Sequence, residues 1–193
     1  IATLEDFQTD FETMNQLFRS SATVSHRLSK TGIITKKTAL DLGLVGLSAR
    51  ASGVAIDTRC DLLVSPYTVN PVQPVSEQAG DCLARSLVRI REIEESTKWI
   101  LSVLRSSRGF QLPNVTLQSP GPGLSAMSVI EGWRGEVFHY LETGSDGKIS
   151  HYRIQDPSLR NWFAVAQSVR GEPISDFPIC NKSFDLSYCG NDL

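Results

Sequence analysis

A chain of 193 residues with 40% apolar and 21% charged side chains has globular composition, so it can build a buried core. Its formal net charge is −2, and its Lys and Arg are spread along the chain, which excludes the clustered positive footprint of a nucleic-acid binder. No run of about eighteen apolar residues is present, so no direct transmembrane segment is predicted. The chain begins Ile1-Ala2 without Met, and we expect it to be cut from something longer.

Leu4 to Leu28 places Leu4, Phe7, Phe11, Met14, Leu17 and Phe18 at helical spacing, which predicts one amphipathic helix capped by Thr3. Thr31 to Thr35 has no helical period. Thr35 then reads as the cap of a second helix, Lys36 to Leu42, closed by Gly43. Gly46 to Gly53 is rich in Gly, Ala and Ser and permits close approach of another backbone. Cys60 to Ala79 holds three prolines and is expected as an extended surface loop.

The clearest element is a helix from Asp81 to about Leu104, with Leu83, Leu87, Ile90, Ile100, Leu101 and Leu104 as its apolar stripe. Asp81, Arg85, Arg89, Glu92 and Ser96 recur at three- and four-residue spacing and share one polar face. Taken alone, that face reads as solvated and laced by ion pairs. Residues Gln111 to Ser125 are predicted loop. Glu136 to Leu141 and Lys148 to Ile154 are β-type runs around a Gly- and Ser-rich turn, so an antiparallel hairpin is expected. Asp156-Pro157-Ser158 turns into a last helix, Leu159 to Val169, ended by Gly171. The tail from Glu172 carries too many Pro, Asp, Asn and Ser for a regular element. The sum is an α+β chain, mostly helical, with a long-helix bundle and an inserted antiparallel β-hairpin.

The four cysteines, Cys60, Cys82, Cys180 and Cys189, form no C-x-x-C pair, and the three histidines, His26, His139 and His151, are scattered. No metal site is expected within the chain, and the thiols read as reduced and mostly structural. A Cys180–Cys189 link stays open at this level.

Three blocks in order carry a family resemblance. The first is Gly32-Ile33-Ile34, then Gly46 to Val54, then Asp57-Thr58-Arg59. The second is Gly80-Asp81, Arg85, Arg89, Glu92 and Ser96. The third is Glu131-Gly132-Trp133-Arg134-Gly135 running to His139-Tyr140. Together they resemble the large subunits of nickel–iron hydrogenases and the quinone-facing large subunit of complex I. The similarity is strongest to hydrogenase-3 and hydrogenase-4 type, energy-converting relatives, whose tail resembles Asp176 to Phe184. The resemblance implies a hydrogenase large-subunit-like fold, with residues 1–193 forming the C-terminal portion of one domain whose N-terminal half is absent.

Hydrogenases of this family hold nickel with four thiolates, two of them in a C-terminal D-P-C-x-x-C motif. Aligned on Asp185, those positions here are Ser187 and Gly190. A Ser hydroxyl is a poor substitute for a soft thiolate and Gly has no donor, so the nickel ligands are expected to be lost. Cys189 lies one residue away, as an ordinary thiol or a possible redox one. The chain stops about where hydrogenases end after maturation, and a protein that loads no nickel would not need that cut.

The resemblance carries Arg134 to the cavity that holds the metals, and Asp57 and Arg59 beneath it. Asp81 with Arg85 is then expected to complete a buried ionic network, architectural or proton-relaying. Arg134 alternatively stabilises its loop by pairing with Glu131 or Glu136. His139, Trp99, Trp133 and Trp162 read as structural, or in the case of the tryptophans as subunit contacts.

The function implied is a component of a membrane-associated oxidoreductase complex, complex I-like or hydrogenase-like, passing electrons to a quinone or similar acceptor rather than handling hydrogen. Its cofactor is expected to be an iron–sulfur cluster in a partner small subunit, with none bound by this chain. The implied location is cytoplasmic, peripheral on the inner face of the membrane. The isolated chain is expected to be inactive. The alternatives are a non-catalytic docking module of such a complex, or a genuine hydrogenase subunit with an atypical ligand pattern.

Overall fold

Two helices open the chain where one was expected. The computed structural model describes residues 1–62, 65–106 and 120–192. Helix α1 (Ala2–Ser20) and α2 (Ala22–Leu28) are separated by extended Ser21, whose hydroxyl accepts from Val24 N and caps α2. Ile1, not Thr3, stands at the N-cap of α1, without a side-chain bond. Thr35 caps α3 (Lys36–Asp41) as its sequence suggested.

The Gly/Ala/Ser stretch coils into α4 (Gly46–Ala51), all of it buried, and Asp57 caps the short α5 (Thr58–Asp61) by accepting from Arg59 N. Small residues let α4 lie directly against the long helix α6 (Cys82–Ser106), where Leu47, Ala51, Val75, Ala84 and Val88 make one apolar core. The larger core joins Ile34, Leu44, Ala49 and Val54 to Ala164, Val165 and Phe184 near the end of the chain. Each large aliphatic side chain buried there contributes about 1.5–3 kcal/mol.

The predicted hairpin is the second half of a three-stranded antiparallel sheet. Strand β1 (Ser125–Gly132) was not anticipated; it pairs with β2 (Gly135–Thr143), which pairs with β3 (Ile149–Gln155). Its sequence, SAMSVIEG, lies mostly exposed and so lacks the apolar alternation of a half-buried strand. Trp133 and Arg134 form the two-residue tip between β1 and β2. Of the loop expected over 111–125, residues 111–119 lie outside those described; residues 63 and 64 of the 60–79 loop do too.

Asp156 caps α7 (Pro157–Ser168) through Ser158 N. The tail then corrects its sequence reading. A 3-10 turn (Ile174–Asp176) leads into α8 (Phe177–Phe184) and a last turn of helix, α9 (Tyr188–Asn191). Pro178 sits in the first turn of α8, where a missing N–H costs nothing. Cys180, Ser183 and Phe184 on α8 are buried, and packing there supplies what composition alone did not.

Candidate functional site

The polar face of α6 points inward. Asp81 and Arg85 are buried, and Arg89 and Glu92 are half-buried. The face splits into two separate sites rather than one network.

The first is a cluster of five charged side chains. Arg50 of α4 is 1% exposed, and its Nη1 donates to Glu131 Oε1 at 2.8 Å and to the Ile56 carbonyl at 2.9 Å. Its Nη2 lies 2.7 Å from Glu92 Oε1, while Asp57 Oδ2 is 3.7 Å from Nη1. Arg59 forks onto Asp57 through Nε and Nη2, at 2.8 and 2.6 Å, and reaches Glu92 at 3.4 Å. Thr58 donates to Glu131 Oε2 from both its N–H and its hydroxyl. The Nε of Arg50 is buried without a hydrogen-bond partner among the described residues.

Burial opposes the charge on Asp57, but the Arg59 hydrogen bond and the Arg50 charge outweigh it and hold the carboxyl below its usual range. Burial wins at Glu92, which is pushed up in spite of both arginines. Arg59 is raised by its bond to Asp57. Beside the cluster opens a pocket of about 440 Å³, walled by Arg59, Glu92, Ser96, Glu131, Trp133 and Phe7. A larger pocket of about 650 Å³, between Ser25, Arg27, Lys30 and Leu83, contains none of the cluster's groups.

The second site surrounds Arg85 and the tail. Arg85 donates to the Gly80 and Gly32 carbonyls, Ser183 Oγ and Cys82 Sγ, and stacks 4.0 Å from the Phe184 ring. Asp81 accepts from Ala84 N and Lys30 N, so it fixes the start of α6. Asp81 and Arg85 therefore do not join Asp57 and Arg59. Arg89 donates to the Ser183 and Phe184 carbonyls, and burial pulls it down to about 10, still cationic at neutral pH. Burial, then the neighbouring Cys82, pushes the Cys180 thiol up to about 11. All four cysteines are free thiols, with Cys180 buried and Cys189 exposed, so they are not linked.

Arg134 is tied to neither Glu131 nor Glu136. Its Nε donates to the Asp185 carbonyl and its Nη2 is 3.8 Å from the Asp185 carboxylate, which also accepts from Trp133 Nε1 at 3.3 Å. The β1–β2 tip thus clamps the tail two residues before Ser187. His139 pairs with Tyr152 on the sheet, and Trp99 and Trp162 pack beside Tyr67 and Tyr188.

Ser187 and Gly190, the positions that the resemblance aligns with the nickel thiolates, are engaged within the tail. Ser187 Oγ accepts from Gly190 N at 3.0 Å, and Ser187 N donates to Ser158 Oγ at 3.0 Å. A Cβ on Gly190 would fall 2.5 Å from Asp156 Cγ, and Asp156 is held by its capping bond to Ser158 N. The residues present do not fit nickel: one position has a hydroxyl already engaged and the other has no room for a side chain. Among the described residues, no group of three or more His, Cys, Asp and Glu side chains is arranged to hold a metal ion.

Sequence reasoning named Asp57, Arg59 and Arg134 but left Arg50, Glu92 and Glu131 out of the network. The signal was present: each lies in one of the three blocks, and those blocks meet at this cluster.

Residues 1–119 match the family described as respiratory-chain NADH dehydrogenase, 49 Kd subunit, and the chain belongs to that family. It is 30% identical to formate hydrogenlyase subunit 5 of Escherichia coli (strain K12), over 90% of this chain and 30% of that protein. It is also 30% identical to an NADH-quinone oxidoreductase component of Herpetosiphon aurantiacus, over 91% of this chain and 49% of that one. Its fold superposes on a chain of the membrane-bound sulfane sulfur reductase, an archaeal respiratory membrane complex, with a TM-score of 0.88 and 25% identity. That match covers all of this chain and 54% of the other. The chain spans half or less of the length of these curated relatives. The hydrogenase-like and complex I-like resemblance and the mostly helical α+β fold are thereby established. Among the described residues no helix is long and apolar enough to cross a membrane.

Proposed function

We propose that this chain is part of the large subunit of a membrane-associated, complex I-like oxidoreductase complex that passes electrons to a quinone or similar acceptor and handles no hydrogen. The observation that carries the reading is the tail. Ser187 caps α9, Gly190 backs onto Asp156, and neither can offer nickel a thiolate. Electrons would come from an iron–sulfur cluster in a partner small subunit, and the complex would sit peripherally on the cytoplasmic face of the membrane. The named relatives include an NADH-quinone oxidoreductase, a formate hydrogenlyase and a sulfane sulfur reductase, so the scaffold accommodates more than one acceptor. In this reading the pocket beside Glu92 and Trp133 forms one wall of the acceptor chamber, and Arg134 braces the tail that closes the former metal site.

The chain by itself would not turn over, because the chamber needs the remainder of the subunit and an electron donor. A complex purified with the full-length subunit should reduce a short-chain quinone and show no hydrogen-dependent reduction of a viologen dye. Hydrogen uptake by that complex would overturn the reading. The docking-module alternative is favoured by one feature, the internal pairing of the charged cluster; it expects quinone reduction to survive disruption of Glu92.

A further inference from the structure

The charges of the buried cluster do not balance. Two guanidiniums, Arg50 and Arg59, face three carboxyls, Asp57, Glu92 and Glu131. When like-charged acids share a desolvated site with too few cations, one of them keeps its proton. Hydrogen bonding shows which. Asp57 has one oxygen on Arg59 Nε and backbone N–H and the other on Arg59 Nη2. Glu131 takes three hydrogen bonds, from Arg50 and from the Thr58 N–H and hydroxyl, spread over both oxygens. Glu92 meets both arginines through Oε1 alone, at 2.7 Å from Arg50 and 3.4 Å from Arg59, and it shares each of them with another carboxylate, Arg50 with Glu131 and Arg59 with Asp57. Its Oε2 accepts no hydrogen bond among the described residues, and Glu92 lines the pocket.

We propose that Glu92 is the proton-carrying group of this cluster, protonated at rest and delivering its proton from Oε2 to the acceptor in the adjacent pocket. Burial favours the neutral acid at Glu92 and the anion persists at Asp57, in agreement with this division of labour. The remaining charged neighbour, Arg89 one turn earlier on α6, stays cationic while it hydrogen-bonds the Ser183 and Phe184 carbonyls, and its charge acts on Glu92 less than on Asp185; Phe7 of α1 and Trp133 at the sheet tip are uncharged.

The step balances simply. An acceptor that takes one electron from a reduced iron–sulfur centre gains one negative charge, and the Glu92 proton neutralises it. The carboxylate left behind is held by Arg50 and Arg59 until solvent returns a proton. Delivery rests on the functional reading above; the resting protonation of Glu92 does not.

The test uses the intact complex containing the full-length subunit. Infrared difference spectra over a pH series should show a protonated-carboxyl band that is lost as pH rises through the raised glutamate value. Glu92→Gln should abolish the band. Glu131→Gln, which restores charge balance, should move its titration to lower pH. Glu92→Gln should also slow acceptor reduction by about a hundredfold or more, as expected for a lost general acid. Absence of the band in the wild-type complex, or its survival in Glu92→Gln, would overturn the assignment, and the first of these needs no variant to fold. An unchanged reduction rate in Glu92→Gln would overturn delivery. A wild-type complex that shows the band but reduces no acceptor would overturn delivery by refuting the functional reading itself.

Discussion

Arg50 is the residue on which the charged cluster turns, since it touches all three carboxylates and is almost wholly buried. A hydrophobic replacement leaves Asp57 with Arg59 but strands Glu131 beside Thr58. Arg50→Met should therefore cost about 3–5 kcal/mol in denaturant unfolding of the subunit. The acids give opposite pH signatures. Asp57 is held below its ordinary value, so its contribution is present above that value and fades as pH falls through the lowered one. Glu92 is raised, so its contribution is present below the ordinary glutamate value and fades as pH rises through the raised one. Unfolding free energy measured over a pH series should lose that alkaline-side decline in Glu92→Gln and keep the acid-side decline from Asp57. Legibility differed among these residues. Asp57 and Arg59 are two apart and could be read as a pair, whereas Arg50 and Glu131 are eighty-one apart and only the fold joins them. Asp81 and Arg85 had the spacing of an ion pair, but capping and carbonyl contacts took them instead.

Elements meet at two glycines that tolerate no side chain. Gly46 opens α4 with φ +59°, and a Cβ there would lie 2.2 Å from Gly135 Cα and 2.4 Å from the Arg134 carbonyl. The left-handed backbone alone costs an L-residue about 1–2 kcal/mol. Gly46→Ala should exceed that in thermal or denaturant unfolding, because the β1–β2 tip must also move. Gly190→Cys, which places a thiol at a position the resemblance aligns with a nickel ligand, should loosen the α7 cap through Asp156 and destabilise the tail without creating a nickel site; hydrogen exchange at Ser158 and Gly190 amides reports it. Periodicity located α6 within two residues at either end, and cap chemistry located α3 and α7. It failed at β1, whose exposed residues carry no apolar alternation, and at α8, where short length and polar composition concealed a helix made by packing of Cys180 and Phe184. The inward turn of the polar α6 face was likewise invisible, since spacing defines a face and only tertiary partners decide what it meets.

Over the whole molecule, three separated sequence blocks converge on one buried cluster, and Ser187 and Gly190, which the family resemblance aligns with hydrogenase thiolates, are engaged within the tail. Order and residue type in those blocks made the family readable from sequence, and the family and fold matches establish it. Their convergence was not readable, because it depends on α4, α5, β1 and α6 meeting in space. The measurement that bears most directly on the account is the nickel and iron content of the full-length protein purified with the small subunit proposed as its partner. The account predicts no nickel above background and iron accounted for by clusters alone. Stoichiometric nickel would contradict it and make the protein a hydrogenase that holds its metal without thiolates at Ser187 and Gly190.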